Sequence, residues 1–171
     1  AHADTESWNG SSWTEVNNLN TARDAISAGI GTYTAALAAG GNVDSGPSTL
    51  ANTETWDGTN WTEVAPMTTA RKTLAGSGTN TDGLVFGGRT APGAVQALTE
   101  AWNGTSWAEK TDMNKVQSLQ AGSGTRTAAL SFGGYDGTSP GNTGDTEEFN
   151  GNVAVGAWVT SGSMNTAKKL L

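Results

Sequence analysis

The sequence contains no cysteine and only one histidine, His2. Disulfides and thiolate metal sites are excluded, and a histidine-based catalytic centre or multi-histidine metal site has no residues to draw on. The redox compartment stays open, because a chain without cysteine tolerates either one. Charged residues are scarce at 15%, and those present are unbalanced: 9 Lys and Arg against 16 Asp and Glu give a net charge of −7. Such a surface repels phosphate backbones, so nucleic acid and anionic membranes are excluded as partners. Long apolar runs are also missing. The longest, around Ala35 to Ala39, is far too short to cross a bilayer, so membrane insertion is not expected. The start, Ala1-His2-Ala3, shows no signal peptide and reads as processed, trimmed or part of a longer chain.

Glycine and tryptophan are abundant, with 24 and 7 residues among 171. Disordered chains combine high charge with few aromatics, which is the opposite balance. An all-β protein with many tight turns fits better. No apolar pattern of helical period occurs anywhere.

An internal repeat organises the whole chain. Thr5-Glu6-Ser7-Trp8-Asn9-Gly10-Ser11-Ser12-Trp13 returns as Thr53-Glu54-Thr55-Trp56-Asp57-Gly58-Thr59-Asn60-Trp61 and as Thr99-Glu100-Ala101-Trp102-Asn103-Gly104-Thr105-Ser106-Trp107. A degraded copy, Thr146-Glu147-Glu148-Phe149-Asn150-Gly151, has its second aromatic delayed to Trp158. The first aromatic recurs at spacings of 48, 46 and 47. A second block, Ala28-Gly29-Ile30-Gly31-Thr32, recurs as Ala75 to Thr79 and Ala121 to Thr125, each running into an apolar stretch closed by two glycines.

Each unit reads as four short strands. Thr-Ala-Arg (Thr21 to Arg23, Thr69 to Arg71) opens the first, the apolar Gly-Gly stretch is the second, Thr-Glu-x-Trp the third, and Trp-Thr-Glu-Val (Trp61 to Val64) the fourth. The Asn-Gly or Asp-Gly between the aromatics signals a hairpin, since both residues tolerate positive φ. Across a four-residue loop the two rings face each other on one side of the sheet.

This unit resembles a kelch repeat: an apolar strand ending in Gly-Gly, a variable loop, two aromatics about six residues apart, then a Pro-Met-like turn and an Arg. Leu84-Val85-Phe86-Gly87-Gly88, Trp102, Trp107 and Asp112-Met113 carry the likeness, with Ala65-Pro66-Met67 and Arg71 in the unit before. Two departures stand out: Trp replaces the usual Tyr, and the aromatic spacing is shorter by one or two residues. The resemblance implies an all-β fold of kelch-like β-propeller blades, each a four-stranded antiparallel sheet. About three and a half blades fit in residues 1–171: a half blade at 4–19, full blades at 21–66, 69–112 and 115–160, and the start of another at 165–171. Such an array does not close a ring by itself. The expectation is either a longer polypeptide or copies that complete one another.

The candidate chemistry is thin. Gly76-Ser77-Gly78-Thr79-Asn80-Thr81 mimics a phosphate loop but lacks the Gly-Lys-Ser/Thr ending and a following helix, so it reads as turn glycines between the first and second strands. Glu6, Glu54, Glu100 and Glu147 precede the first aromatic, and Glu15, Glu63 and Glu109 follow the second. Glycoside hydrolysis needs a carboxylate pair, but a carboxylate repeated in every blade points to structure, with Arg23, Arg71, Lys168 or backbone amides as partners. Repeated Trp likewise reads as blade packing rather than sugar stacking. Acidic loops such as Asp136-Gly137 and Gly144 to Glu147 lack the alternating ligands of a calcium loop. No cofactor and no catalytic residue is expected.

What differs between blades is the segment after Gly-Gly: Asn42 to Asn52, Arg89 to Leu98 and Tyr135 to Asp145. Loops on a rigid repeat scaffold are where binding resides, so Arg89, Tyr135 and Asp136 are the candidate binding residues. Arrays with Thr-Glu-x-Trp-Asn-Gly-Thr-Ser-Trp units resemble those of bacteriophage and bacterial surface proteins. That resemblance implies a non-enzymatic extracellular structural or adhesion module, of the phage tail, fibre or capsid-decoration kind. Its partners would be other proteins or further copies of itself. The alternative is a lectin-like propeller that binds cell-surface glycan. Kelch-like copper oxidases rely on Cys, Tyr and His, which this chain does not supply.

Overall fold

A computed structural model describes residues 1–25, 28–43, 46–152 and 156–164, and every regular element among them is a β-strand. No helix among the described residues is long and apolar enough to cross a membrane. The strands run in chain order: β1 (Thr5–Trp8), β2 (Trp13–Val16), β3 (Ala28–Thr32), β4 (Ala35–Ala39), β5 (Thr53–Trp56), β6 (Trp61–Val64), β7 (Ala75–Gly78), β8 (Gly83–Phe86), β9 (Thr99–Trp102), β10 (Trp107–Lys110), β11 (Ala121–Gly124), β12 (Ala128–Phe132), β13 (Thr146–Asn150) and β14 (Ala157–Ser161). Each of β3–β6, β7–β10 and β11–β14 is a four-stranded antiparallel meander, and β1–β2 form a two-stranded sheet. This is a β-propeller-like array of about three and a half blades. The expected further strand at Asn165 to Leu171, and with it the expected partner Lys168, lies outside the described residues.

The first strand of each blade differs from the sequence expectation. Thr-Ala-Arg is not a strand; Arg23 and Asp24 make only isolated bridges, to His2 and Asn42. The innermost strand is the Ala-Gly-x-Gly block itself, so Gly76 and Ser77 are strand residues of β7 rather than turn residues. The cause is crowding where neighbouring blades meet. A Cβ on Gly76 would lie 2.8 Å from the Ile30 side chain, and one on Gly122 would lie 2.7 Å from the Gly76 carbonyl oxygen. A strand that must approach another backbone this closely carries glycine despite its weak strand propensity. At Gly29, the matching position in β3, nothing lies within 4 Å.

The aromatic pairs adopt the expected register. Trp8 faces Trp13, Trp56 faces Trp61 and Trp102 faces Trp107, with ring centroids 5.3–5.5 Å apart. Trp158 also stands opposite its partner, Phe149, so the longer loop delays it in sequence without moving it in space. In the turns, glycine alone takes the positive φ; Gly58 has φ 95°. The residue before it acts through its side chain: Asp57 Oδ1 accepts from the amides of Thr59 and Asn60.

The apolar side chains collect between blades. One cluster joins the first and second full blades through Ile30, Leu37, Met67, Leu74, Trp102 and Trp107. A second joins the second and third through Leu84, Phe86, Met113, Phe149 and Trp158. One hydrogen bond repeats across each junction. Trp61, Trp107 and Trp158 donate their indole N–H to the Thr5, Thr53 and Thr99 hydroxyls at 3.1–3.2 Å.

Of the repeated carboxylates, Glu54, Glu100 and Glu147 are buried and structural, whereas Glu6, Glu15 and Glu109 are exposed. Glu54 accepts from the Asn20 and Thr21 amides and from Arg23 at 2.5 Å; Glu100 accepts from the Thr68 and Thr69 amides and from Arg71 at 2.8 Å. Arg71 also donates to the Gly87 and Leu98 carbonyls. Burial pushes its guanidinium down from the ordinary value, against the opposing pull of Glu100. In the third blade Gln117 replaces the arginine, and Glu147 is held by Asn114 and the Lys115 amide.

Two outcomes follow. Arg71→Ala strands a buried carboxylate and lowers stability by about 3–5 kcal/mol, read from the urea midpoint. Gly122→Ala forces strands apart and costs about 1–3 kcal/mol, whereas Gly29→Ala leaves stability within about 1 kcal/mol of the parent.

Candidate functional site

The three residues singled out by sequence come together. Arg89 and Tyr135 occupy the same place in successive blades, each directly after a Gly-Gly pair. There the chain leaves the second strand and touches the segment entering the next blade. The Gly88 amide donates to the Gln117 carbonyl at 2.7 Å, and a Cβ on Gly88 would lie 2.8 Å from the Lys72 oxygen. Arg89 then exchanges backbone hydrogen bonds with Lys72, and Tyr135 with Ser118. Each residue is therefore pinned by main-chain pairing to the entry segment beside it.

The side chains meet across the junction of the second and third full blades. The Arg89 guanidinium carbon lies 4.7 Å from the Tyr135 ring centroid, a cation–π contact of about 0.5–1 kcal/mol at a half-exposed site. Arg89 Nε donates to Ser118 Oγ at 3.1 Å, which fixes the plane of the fork. Arg89 and Tyr135, with Asp136, Val95 and Val116, line a pocket of about 340 Å³. Asp136 is committed to its own loop: Oδ1 accepts from the Thr138 amide at 2.9 Å and its hydroxyl at 2.8 Å. Those bonds hold its carboxyl below the ordinary value. At the far end of the same loop Asp145 pairs with Lys115 at 2.7 Å. That bond, with help from Thr143, also lowers its carboxyl. The pocket therefore offers a guanidinium edge, an aromatic ring and a turn carboxylate beside two valines. Among the described residues no three His, Cys, Asp or Glu side chains are grouped to hold a metal ion. Asn42, the matching residue of the first blade, is not part of this pocket.

Sequence reasoning missed a second feature. Trp8, Trp13, Tyr33, Trp56 and Trp61 line an apolar groove of about 450 Å³ between the two-stranded sheet and the first full blade. Trp13 is 64% exposed and Tyr33 75%, whereas Trp102 is 1%. The repeat marks every Trp as packing; only the strand count, with two strands in the first sheet, signals that Trp8 and Trp13 stand uncovered.

No family model matches the chain, and no curated protein matches it by sequence. Among solved structures that match is "Structure of YjhT", with a TM-score of 0.74 and 10% identity over 86% of this chain. The match covers 48% of that structure, so the chain spans about half its length. At this identity the likeness shows the fold alone.

The lowered carboxyls set a pH dependence. The stabilisation they give the Tyr135–Asp145 loop is fully present above the unfolded value, about 3.9 for aspartate. It is lost as pH falls through the lower folded values. Melting curves between pH 6 and pH 2 are expected to show an acid limb that Asp145→Asn flattens.

Proposed function

We propose that the chain is a non-enzymatic structural and adhesion module of an extracellular surface, built from kelch-like blades and of the kind found in phage tails, fibres or capsid decorations. The observation that carries this reading is how the residues are used. In the full blades, those that recur at blade period are consumed in packing and clamping: the aromatic pairs, Glu54 with Arg23, and Glu100 with Arg71. Residues that change from blade to blade, Arg89, Tyr135 and Asp136, converge on one pocket at a blade junction. A stiff frame with its variable residues gathered on loops suits recognition, and several copies give avidity to weak contacts.

The pocket also favours a second reading, a lectin-like module. A half-buried tyrosine ring beside an arginine and a carboxylate matches the stacking and hydrogen bonding that a sugar offers. Under both readings the partner is a surface protein or glycan, and nucleic acid and the bilayer interior play no part.

The test is binding of the purified chain, displayed in many copies on beads, to a panel of bacterial envelopes and immobilised glycans. Arg89→Ala and Tyr135→Ala are each expected to weaken capture by roughly tenfold, as loss of a contact residue does. Capture abolished by periodate treatment of the envelope selects the lectin reading; capture that survives it selects protein contact. Undiminished capture by both variants, or none by the parent chain, overturns the proposal.

A further inference from the structure

The clamp of the first two blades can be compared, atom by atom, with its counterpart in the third. In the first blade Glu54 Oε1 accepts from the Thr21 amide and from one nitrogen of the Arg23 guanidinium. The other terminal nitrogen donates to the Gly40 and Asn52 carbonyls, both at 3.0 Å. Glu100, Gly87 and Leu98 hold Arg71 in the same way at 2.7–2.8 Å. Each guanidinium thus sits among three oxygens, one carboxylate and two main-chain carbonyls. The third blade keeps all three. Gly133 donates its amide to the Asp145 carbonyl, as Gly40 does to Asn52 and Gly87 to Leu98. The Gly133 and Asp145 carbonyls therefore occupy the same two places. Glu147 is 0% exposed and keeps the amides of Asn114 and Lys115. The cation has gone.

No side chain among the described residues takes its place. Gln117, at the arginine's position, is neutral and shorter, and it bonds to Ser131 rather than to Glu147. Lys115 pairs with the Asp145 carboxylate instead, at 2.7 Å. The surroundings have turned polar. The residue paired with the buried glutamate on the second strand is Ala38 and Val85 in the first two blades, and Ser131 in the third. Ser131 Oγ donates to Gln117 Oε1 at 3.0 Å, while Gln117 Nε2, in a fully buried side chain, has no partner. Turning that amide over lets Nε2 donate to Ser131 Oγ and frees Oε1 to serve as a ligand. A buried carboxylate without a counter-charge is costly, and three of the oxygens that meet this cost elsewhere are already in position.

We propose that the third blade binds one monovalent cation of potassium's size where the first two blades hold a guanidinium. Glu147 Oε1 and the Gly133 and Asp145 carbonyls are its ligands, with Gln117 Oε1 as a fourth. Charge decides the valence. One carboxylate among neutral oxygens balances a single positive charge, as it does for the guanidinium, and a divalent ion leaves charge uncompensated inside the blade. Calcium also asks for about six to eight oxygens, and magnesium keeps several waters, which this buried place does not supply. Spacing decides the size. The oxygens of the first two blades meet nitrogen at 2.5–3.0 Å. Potassium contacts oxygen at about hydrogen-bond length, so it enters without moving the frame, whereas sodium must draw the carbonyls inward.

The test is urea unfolding of the full 171-residue chain in potassium chloride and in choline chloride at equal ionic strength. Above the dissociation constant, each tenfold rise in potassium is expected to multiply the folded-to-unfolded ratio by about ten, since the unfolded chain has no site. Sodium is expected to act more weakly. Gln117→Arg supplies the guanidinium that the other blades carry. That variant is expected to unfold at or above the midpoint of the potassium-loaded parent and to be indifferent to potassium. In crystals of the parent chain grown with rubidium chloride, an anomalous peak is expected between Glu147, Gly133 and Asp145, a readout that stands even if Gln117→Arg does not fold. Equal midpoints in potassium and choline overturn the proposal, as does a potassium response that Gln117→Arg retains or that calcium exceeds. Rubidium density absent from this place overturns it too, and a water molecule then fills the gap.

Discussion

A carboxylate shut inside a small β-sheet without partners costs several kcal/mol, so its neighbours are not free to vary. Glu54, Glu100 and Glu147 are each at most 1% exposed. All three are satisfied by the same element, the segment that carries the chain into its blade, through two backbone amides at its turn. That one requirement fixes where each blade begins relative to its third strand. In the first two blades the arginine extends the clamp to the Gly-Gly carbonyl, Gly40 or Gly87, and to the carbonyl of Asn52 or Leu98. The entry segment, the end of the second strand and the start of the third are thereby tied to one charged pair. The third blade has Gln117 in place of the arginine, bonded to the Ser131 hydroxyl. Its carboxylate keeps both amides, so the entry geometry depends on the amides more than on the ion pair.

Once the entry is fixed, blade-to-blade packing is dictated by how close the innermost strands come. Glycine at Gly76 and Gly122 allows backbone to meet side chain and backbone. The larger residues are displaced outward to the aromatic pairs, where one indole of each full blade, Trp61, Trp107 or Trp158, reaches a threonine of the neighbouring sheet. Apolar burial and the repeated N–H to hydroxyl bond therefore act at the same place. The indole keeps a hydrogen bond while its ring leaves water, and a buried indole without one is penalised. The two-stranded sheet shows the converse. Its Trp8 and Trp13 hold the same mutual geometry as the buried pairs, 5.5 Å between centroids. The hairpin alone sets the pair, and neighbouring strands only cover it.

The blade count, the meander and the ring pairs were legible in the sequence, because each rests on a local signal repeated in every copy: Thr-Glu-x-Trp, an Asn-Gly or Asp-Gly turn, and Gly-Gly after an apolar strand. The first strand was not. Ala-Gly-x-Gly has the composition of a turn, and its strand character comes from a neighbour 46 or 47 residues away in sequence, as Gly122 does from Gly76. Thr-Ala-Arg has strand-like composition, but its arginine is held by a carboxylate instead of a ladder. Trp158 was legible as an aromatic but not as a register partner, since only the fold shows that its loop lengthens without a slip. At the candidate site, position after Gly-Gly was enough to choose Arg89, Tyr135 and Asp136. Their convergence was not legible, because it depends on Arg89 reaching across a blade junction to the ring of Tyr135.

The division of labour between the blades follows from these constraints. A position that serves the clamp, the close approach or the Trp–Thr bond is answerable to two blades at once, and a change there is felt on both sides. The backbone of the residue after Gly-Gly is held by main-chain pairing with the entry segment, as Arg89 is with Lys72 and Tyr135 with Ser118. Main-chain pairing is indifferent to the side chain, so this is where the frame tolerates asparagine in one blade, arginine in the next and tyrosine in the third. A scaffold that pins the backbone without prescribing the side chain can change what it contacts without changing how it folds. The pocket of Arg89, Tyr135 and Asp136 lies where that freedom is greatest.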